Sequence, residues 1–141
     1  MNSPDRTAQC AVLAMLFELS SSPKPGNVDR CHDFSDIGFH HFLTSAVSSY
    51  PVFRKAACGL DRPGSLILEG VQAWKDWNLS SNTHIGSLEL MIPIALAAST
   101  ARRPRRLEEE LARVLEETTV QDAVDFYRAF ELAGARVAEV E

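Results

Sequence analysis

The segment from Glu18 to Asp36 reads Glu-Leu-Ser-Ser-Ser-Pro-Lys-Pro-Gly-Asn-Val-Asp-Arg-Cys-His-Asp-Phe-Ser-Asp, and it gathers the residue types that handle phosphate. Lys24 lies between two prolines, Gly26 permits close backbone approach to a ligand, and Glu18, Asp29 and Asp36 are carboxylates able to hold a hard cation such as Mg²⁺. A compact ammonium neutralises phosphate oxygens. Mg²⁺ takes one or two carboxylates and completes its shell with phosphate and water. The same residues have a plainer reading. Pro-Lys-Pro-Gly then ends a helix, Asp29 and Arg30 are surface charges, and Asp33 or Asp36 caps the next helix.

A second constellation, Asn82, Thr83, His84, Ile85, Gly86 and Ser87, stands where an apolar run begins. A helix start offers free amides and a partial positive charge, a natural seat for phosphate. Alternatively, Asn82 or Thr83 caps the helix and His84 is an ordinary first-turn residue. Other candidates carry less. His40 and His41 are adjacent on a helix and point to different faces, one packed and one solvated. The cluster Arg102, Arg103, Arg105, Arg106 reads as a solvated helix start within reach of a substrate phosphate. Trp74 and Trp77 read as packing residues rather than as a stacking platform for a nucleobase.

The elements that must position these residues are helices. Thr7 to Leu19 is apolar on almost every side, which predicts a helix in the middle of a bundle. Two prolines and a glycine between Pro23 and Gly26 break it. Helical spacing resumes near Ser35 through Ile37, Phe39, Phe42, Leu43, Ala46 and Val47, and Tyr50-Pro51 closes it; Val52 to Cys58 adds one or two further turns. Ser65 is a candidate cap for a helix through Trp77, and Thr83 or its neighbours start a strongly apolar helix to about Ala101, expected to kink at Pro93. Pro104 suits the start of an exposed helix over Arg105 to Glu117. Thr119 to Asp122 resembles a capping box, and Val120, Val124, Tyr127 and Phe130 are the expected inward positions of the last helix. No segment alternates with period 2. The expected fold is all-α, a bundle of about six helices forming one domain over residues 1–141.

Composition narrows the function. The chain has 141 residues, 45% hydrophobic and 23% charged, as an ordinary globular domain does. A net charge of -5 gives no pull toward nucleic acid or anionic membrane. Cys10, Cys31 and Cys58 are odd in number and widely spaced, so neither a disulfide framework nor a zinc site is indicated and a reducing compartment fits. The N-terminus lacks signal-peptide character, and the apolar run Ile85 to Ala98 is too short for a bilayer, so a cytoplasmic location is expected.

The motifs also carry a resemblance. A Pro-Lys-Pro-Gly-x-Val-Asp-Arg loop (Pro23 to Arg30) after a helix ending in Glu18, a downstream His32 and Asp36, a Phe-x-x-Ser-Ala helix (Phe42, Ser45, Ala46) and a later Asn-Thr-His-x-Gly (Asn82 to Gly86) together resemble the triphosphoribosyl-dephospho-CoA synthase family over most of the chain. Asn27 in place of the usual Leu, and Cys31-His32-Asp33-Phe34 in place of a Gly-Ala-His form, look like its archaeal-type branch. Ile85 stands where family members often carry Lys, which removes one candidate phosphate contact.

This resemblance implies the N-terminal part of a longer helical domain. It also implies a reaction in which ATP, with Mg²⁺, gives its triphosphoribosyl group to the 2′-hydroxyl of dephospho-CoA or a related cofactor precursor and releases adenine. By position, Asp29 and Asp36 would then be general-base or metal-binding residues, with Glu18 a third metal ligand. Lys24, Gly26 and Arg30 would meet the triphosphate, and Asn82, Thr83 and His84 would meet ribose or phosphate. The partners implied are nucleotide and CoA-like small molecules, with a second copy or a partner chain covering apolar helices left without neighbours. The competing reading is a non-catalytic helical module that binds nucleotide or needs a partner chain.

Overall fold

The first helix starts where local chemistry says it must. Ser3 Oγ accepts from Arg6 N at 3.2 Å and Pro4 takes the first helical position, giving α1, Pro4–Ser20. The computed structural model describes residues 3–101 and 103–135. Ser21 turns extended ahead of Pro23, and the chain runs as a loop to Gly38 before α2, Phe39–Ser48. Ser49 and Pro51 then start α3, Tyr50–Ala57, a full helix where the sequence promised one or two turns. Next come α4, Pro63–Lys75, and α5, Ile85–Thr100, which runs on through a buried Pro93. A 3₁₀ turn over Pro104–Arg106 leads into α6, Leu107–Glu116, and the reciprocal Thr119 and Asp122 bonds start α7, Val120–Ala133.

Among the described residues the protein is therefore all-α, seven α-helices and one 3₁₀ turn with no strand. The main core is drawn from α3, α4 and α5, where Phe53, Leu66, Val71, Trp74, Leu88 and Ile92 are fully buried. Removing a side chain such as Phe53 or Trp74 from such a core costs about 3–5 kcal/mol. A smaller cluster of Leu19, Val28, Ile37 and Phe42 sits beside it. That second cluster matters for function, since Val28 anchors the loop after α1.

Packing departs from the sequence pattern in three places. In α1 only one stripe is buried (Ala8, Ala11, Met15, Leu19), while Leu13 and Phe17 are 47% and 68% exposed, so this helix does not sit in the middle. In α7 the inward side carries Asp122, Asp125, Ala129 and Ala133, whereas Val120, Val124 and Tyr127 face out and Phe130 is half-buried. The cause is Arg62: its guanidinium reaches Asp122 Oδ1 at 3.1 Å and Asp125 Oδ2 at 2.9 Å, and Gly64 N donates to Asp122 Oδ1 at 2.9 Å. Buried carboxylates persist when they are paired and hydrogen-bonded. Finally, α4 begins at Pro63 rather than at Ser65, whose hydroxyl donates to Asp61.

Candidate functional site

The loop after α1 is shaped by its own sequence. Asn27 N donates to Lys24 O at 3.2 Å across Pro25 and Gly26, and Gly26 has φ +74°. Proline at the second position and positive φ at the third make a type II turn, which is why glycine stands there. Val28 then drops into the small core, fully buried, and draws Asp29 in behind it.

Asp29 is the hub of this loop. Its Oδ2 accepts from Ser22 Oγ at 3.1 Å and Lys24 N at 2.9 Å, and its Oδ1 accepts from Cys31 N at 2.8 Å and pairs with His32 Nδ1 at 2.9 Å. Two backbone bonds between Asp29 and His32 close the turn between them. Burial would raise its carboxyl, but the donors from Cys31, His32, Lys24 and Ser22 outweigh burial and hold it well below the usual carboxylate range. A carboxylate so occupied is a weak base with no free oxygen to offer.

Lys24 lies mostly covered, with its Nζ 2.6 Å from Glu18 Oε1 in an ion pair that lacks hydrogen-bond alignment. Its charge is felt at His84, the buried histidine of the second polar constellation. His84 is buried, with Nδ1 2.5 Å from Ser45 Oγ and its ring edge-on to Phe42 at 5.1 Å between centroids. Burial first and the Lys24 ammonium second push its imidazole down to about 4, which keeps it neutral at pH 7. Three buried polar atoms in this region, Lys24 Nζ, Thr83 Oγ1 and His84 Nε2, lack a hydrogen-bond partner among the described residues. Buried groups left this way in a folded protein call for a partner such as water, an ion or a ligand.

The start of α5 adds amides. Asn82 Oδ1 accepts from Ile85 N at 3.3 Å, while Gly86 N and Ser87 N have no acceptor among the described residues. A side chain added at Gly86 would meet nothing within 4 Å, so the approach is open. The arrangement presents an ammonium, the Thr83 hydroxyl and free amides at a helix start, groups of the kind that bind phosphate.

The other candidates fall elsewhere. Asp36 is exposed and makes no side-chain hydrogen bond among the described residues; Asp33 is the residue that caps α2, through Phe39 N at 2.7 Å. Arg30 is exposed without a carboxylate partner among the described residues. Glu18, Asp29 and Asp36 are not brought together as a ligand set, and among the described residues no three His, Cys, Asp or Glu side chains are close enough to hold a metal ion. These carboxylates do not fit a resident Mg²⁺. His41 Nδ1 accepts from Gly38 N, and the His40 and His41 rings touch, with centroids 3.9 Å apart. Arg102 lies outside the described residues. Cys10, Cys31 and Cys58 are free, and among the described residues no helix is long and apolar enough to cross a membrane.

Sequence reasoning gave Ser45 and His32 no role of their own, although both stood in the motifs. A serine three residues after a phenylalanine on a core-facing helix was the available signal for the first, and a histidine three residues after the loop aspartate for the second. Comparison with known proteins adds the chemistry: the family model described as ATP:dephospho-CoA triphosphoribosyl transferase matches residues 4–141. No curated protein and no solved structure matches the chain. A match over nearly the whole length establishes that this protein belongs to the ATP:dephospho-CoA triphosphoribosyl transferase family.

Proposed function

We propose that the Lys24 loop and the start of α5 form the seat for the triphosphate of ATP, and that the triphosphoribosyl group leaves from there to a hydroxyl of dephospho-CoA. The observations carrying this reading are two buried polar atoms without a hydrogen-bond partner among the described residues, Thr83 Oγ1 and His84 Nε2, together with a mostly covered Lys24 ammonium held by its ion pair to Glu18. Removing the triphosphoribosyl group from ATP leaves adenine by mass balance, so adenine is the expected second product. Gly26 keeps the turn in a conformation other residues resist, and Asn82 fixes the start of α5 through the amide of Ile85. Magnesium enters this reading as the counter-ion carried by the triphosphate. Asp29 organises the loop.

The apolar surface supports a second element of the proposal. Leu13 and Phe17 on α1, and Leu90 and Ile94 on α5, are i, i+4 pairs on two helices that pack together, and all four are exposed. Patches of this kind are normally covered by another surface, so the active form is an assembly, with a second copy or a partner chain.

Calorimetry of Mg²⁺-ATP binding to the wild type and to Lys24→Ala and His84→Gln tests the site. Loss of binding in both variants is the expected result, followed by adenine formation that depends on dephospho-CoA. A folded wild type that binds no ATP sinks this reading in favour of the non-catalytic helical module.

A further inference from the structure

Transfer of a glycosyl group to a hydroxyl needs a group to take the hydroxyl proton, and the saturated oxygens of Asp29 leave that task open. The residue beside it is built for the work. His32 Nδ1 lies 2.9 Å from Asp29 Oδ1, with the histidine side chain 65% exposed and the aspartate 1% exposed. An ionised carboxylate only accepts, so the shared proton sits on Nδ1, and in a neutral imidazole that leaves the lone pair on Nε2. A buried carboxylate that fixes a histidine tautomer and steadies its protonated form is the arrangement that makes imidazole an effective base.

The loop holds this pair in place independently of the ring. Val28 anchors it, and Asp29 is already tied by Ser22 Oγ, Lys24 N and Cys31 N. Lys24 N and the His32 ring bind opposite oxygens of one carboxylate, so the exposed imidazole shares its anchor with the backbone of Lys24. The charged groups nearest to it in the loop are Asp29, in direct contact, and its sequence neighbours Arg30 and Asp33. No other histidine among the described residues has a carboxylate on its ring nitrogen, His40 included, whose ring lies against that of His41. His84 is buried next to the Lys24 charge, which opposes its protonation, and His41 Nδ1 is occupied by Gly38 N.

We propose that His32 is the general base of the transfer and Asp29 its positioning residue, an assignment that rests on the transferase reading above. The acceptor hydroxyl oxygen bonds to the anomeric carbon of the ribose as the bond from that carbon to adenine breaks, with its electron pair leaving on adenine. The hydroxyl proton passes to His32 Nε2 and from there to the departed adenine or to water, so the base is regenerated and no other reactant is consumed.

Two measurements on the full chain test this. Long-range ¹H–¹⁵N spectra of histidine-labelled protein report the tautomer without any ligand; His32 is expected protonated on Nδ1, with that preference lost in Asp29→Asn. An Nε2-protonated His32 in the wild type overturns the proposal. In turnover, His32→Ala is expected to lower kcat by about 10²–10⁴-fold with KM for ATP little changed, and added imidazole to restore part of the rate. A variant that keeps its circular dichroism and wild-type kcat also overturns it, as does a loss of rate that imidazole does not relieve. A wild type without turnover counts against the transferase reading instead, and the tautomer still decides how the pair is set.

Discussion

Ser45 Oγ and His84 Nδ1 stand 2.5 Å apart although 39 residues separate them, and both residues are buried. This contact pins the segment before α5 onto α2 and fixes which ring nitrogen of His84 is left over. Because α2 also supplies Phe42 to the small core that holds Val28, one helix references both halves of the proposed phosphate seat. The site is thus carried by packing between helices rather than by either motif alone.

The burial of His84 makes acid stability a readout of this contact. Its imidazole titrates near 4 in the folded chain against 6.5 when free, so between those values the unfolded state binds more protons and stability falls as pH falls. The full loss is about 3 kcal/mol at 1.36 kcal/mol per unit. Denaturant unfolding from pH 7 to pH 4 is expected to show this decline in the wild type and a flatter profile in His84→Gln. The depressed carboxyl of Asp29 acts in a separate window, since its contribution is present above about 4 and is lost only below it. Equal slopes for the two proteins between pH 6.5 and 4 would show that His84 is not held neutral.

Asp29→Ala is expected to release the loop without melting the bundle. The amides of Lys24 and Cys31 lose their acceptor, so their hydrogen exchange should quicken on the order of tenfold or more, while amides of α4 and α5 keep their protection. Uniform acceleration across the helices would mean that the carboxylate supports the whole fold.

Two glycines separate folding from binding. A Cβ at Gly64 would lie 2.3 Å from Asp122 O, so Gly64→Ala must push α4 from α7, at a cost of about 1–3 kcal/mol in urea unfolding. Gly86 meets nothing within 4 Å, so Gly86→Ala leaves stability unchanged or raises it by up to about 1 kcal/mol. Its methyl group, however, stands where a phosphate would approach the amides, and ATP affinity is expected to fall. Unaltered affinity in that variant would place the ligand away from α5.

The sequence made helix starts legible because their causes are local. Ser3 with Pro4, Pro104, and the Thr119 and Asp122 box each act within a turn. The inward side of α7 was illegible for the opposite reason: Asp122 and Asp125 turn inward only because Arg62, from α4's far-off N-cap, supplies their counter-charge. At the site, Lys24, Thr83 and His84 were marked by type, but the burial of His84 rests on its contacts with Ser45 and Phe42 of distant α2. Periodicity also could not tell Asp29 from Asp33 or Asp36. One became the loop hub, one a helix cap and one an exposed residue, according to which backbone amides the turn brought near.

Exposed apolar pairs on α1 and α5 predict self-association or a partner. Sedimentation at micromolar concentration is expected to give a species larger than one chain, and Phe17→Ser with Leu90→Ser to shift it toward the monomer with the helical content intact. A wild type that sediments as a single monomer, with no second protein in its operon neighbourhood binding it, removes the assembly from the proposal.

Glu18 distinguishes two accounts of how phosphate is held. If its carboxylate served as a metal ligand, Glu18→Gln would weaken Mg²⁺-ATP binding and leave tripolyphosphate binding without metal unchanged. The geometry points the other way, because Glu18 Oε1 sits 2.6 Å from Lys24 Nζ and competes with a phosphate for that ammonium. Neutralising a half-exposed partner of this kind is worth the energy of a surface ion pair, a few tenths to about 1 kcal/mol. Glu18→Gln is therefore expected to tighten tripolyphosphate binding by up to about five-fold, with the gain shrinking as salt is raised and screens the charges. Calorimetry with and without Mg²⁺ reads both accounts in one series. Weaker binding only when the metal is present would assign Glu18 to the cation, and tighter binding in both conditions would assign it to holding Lys24 until the triphosphate arrives.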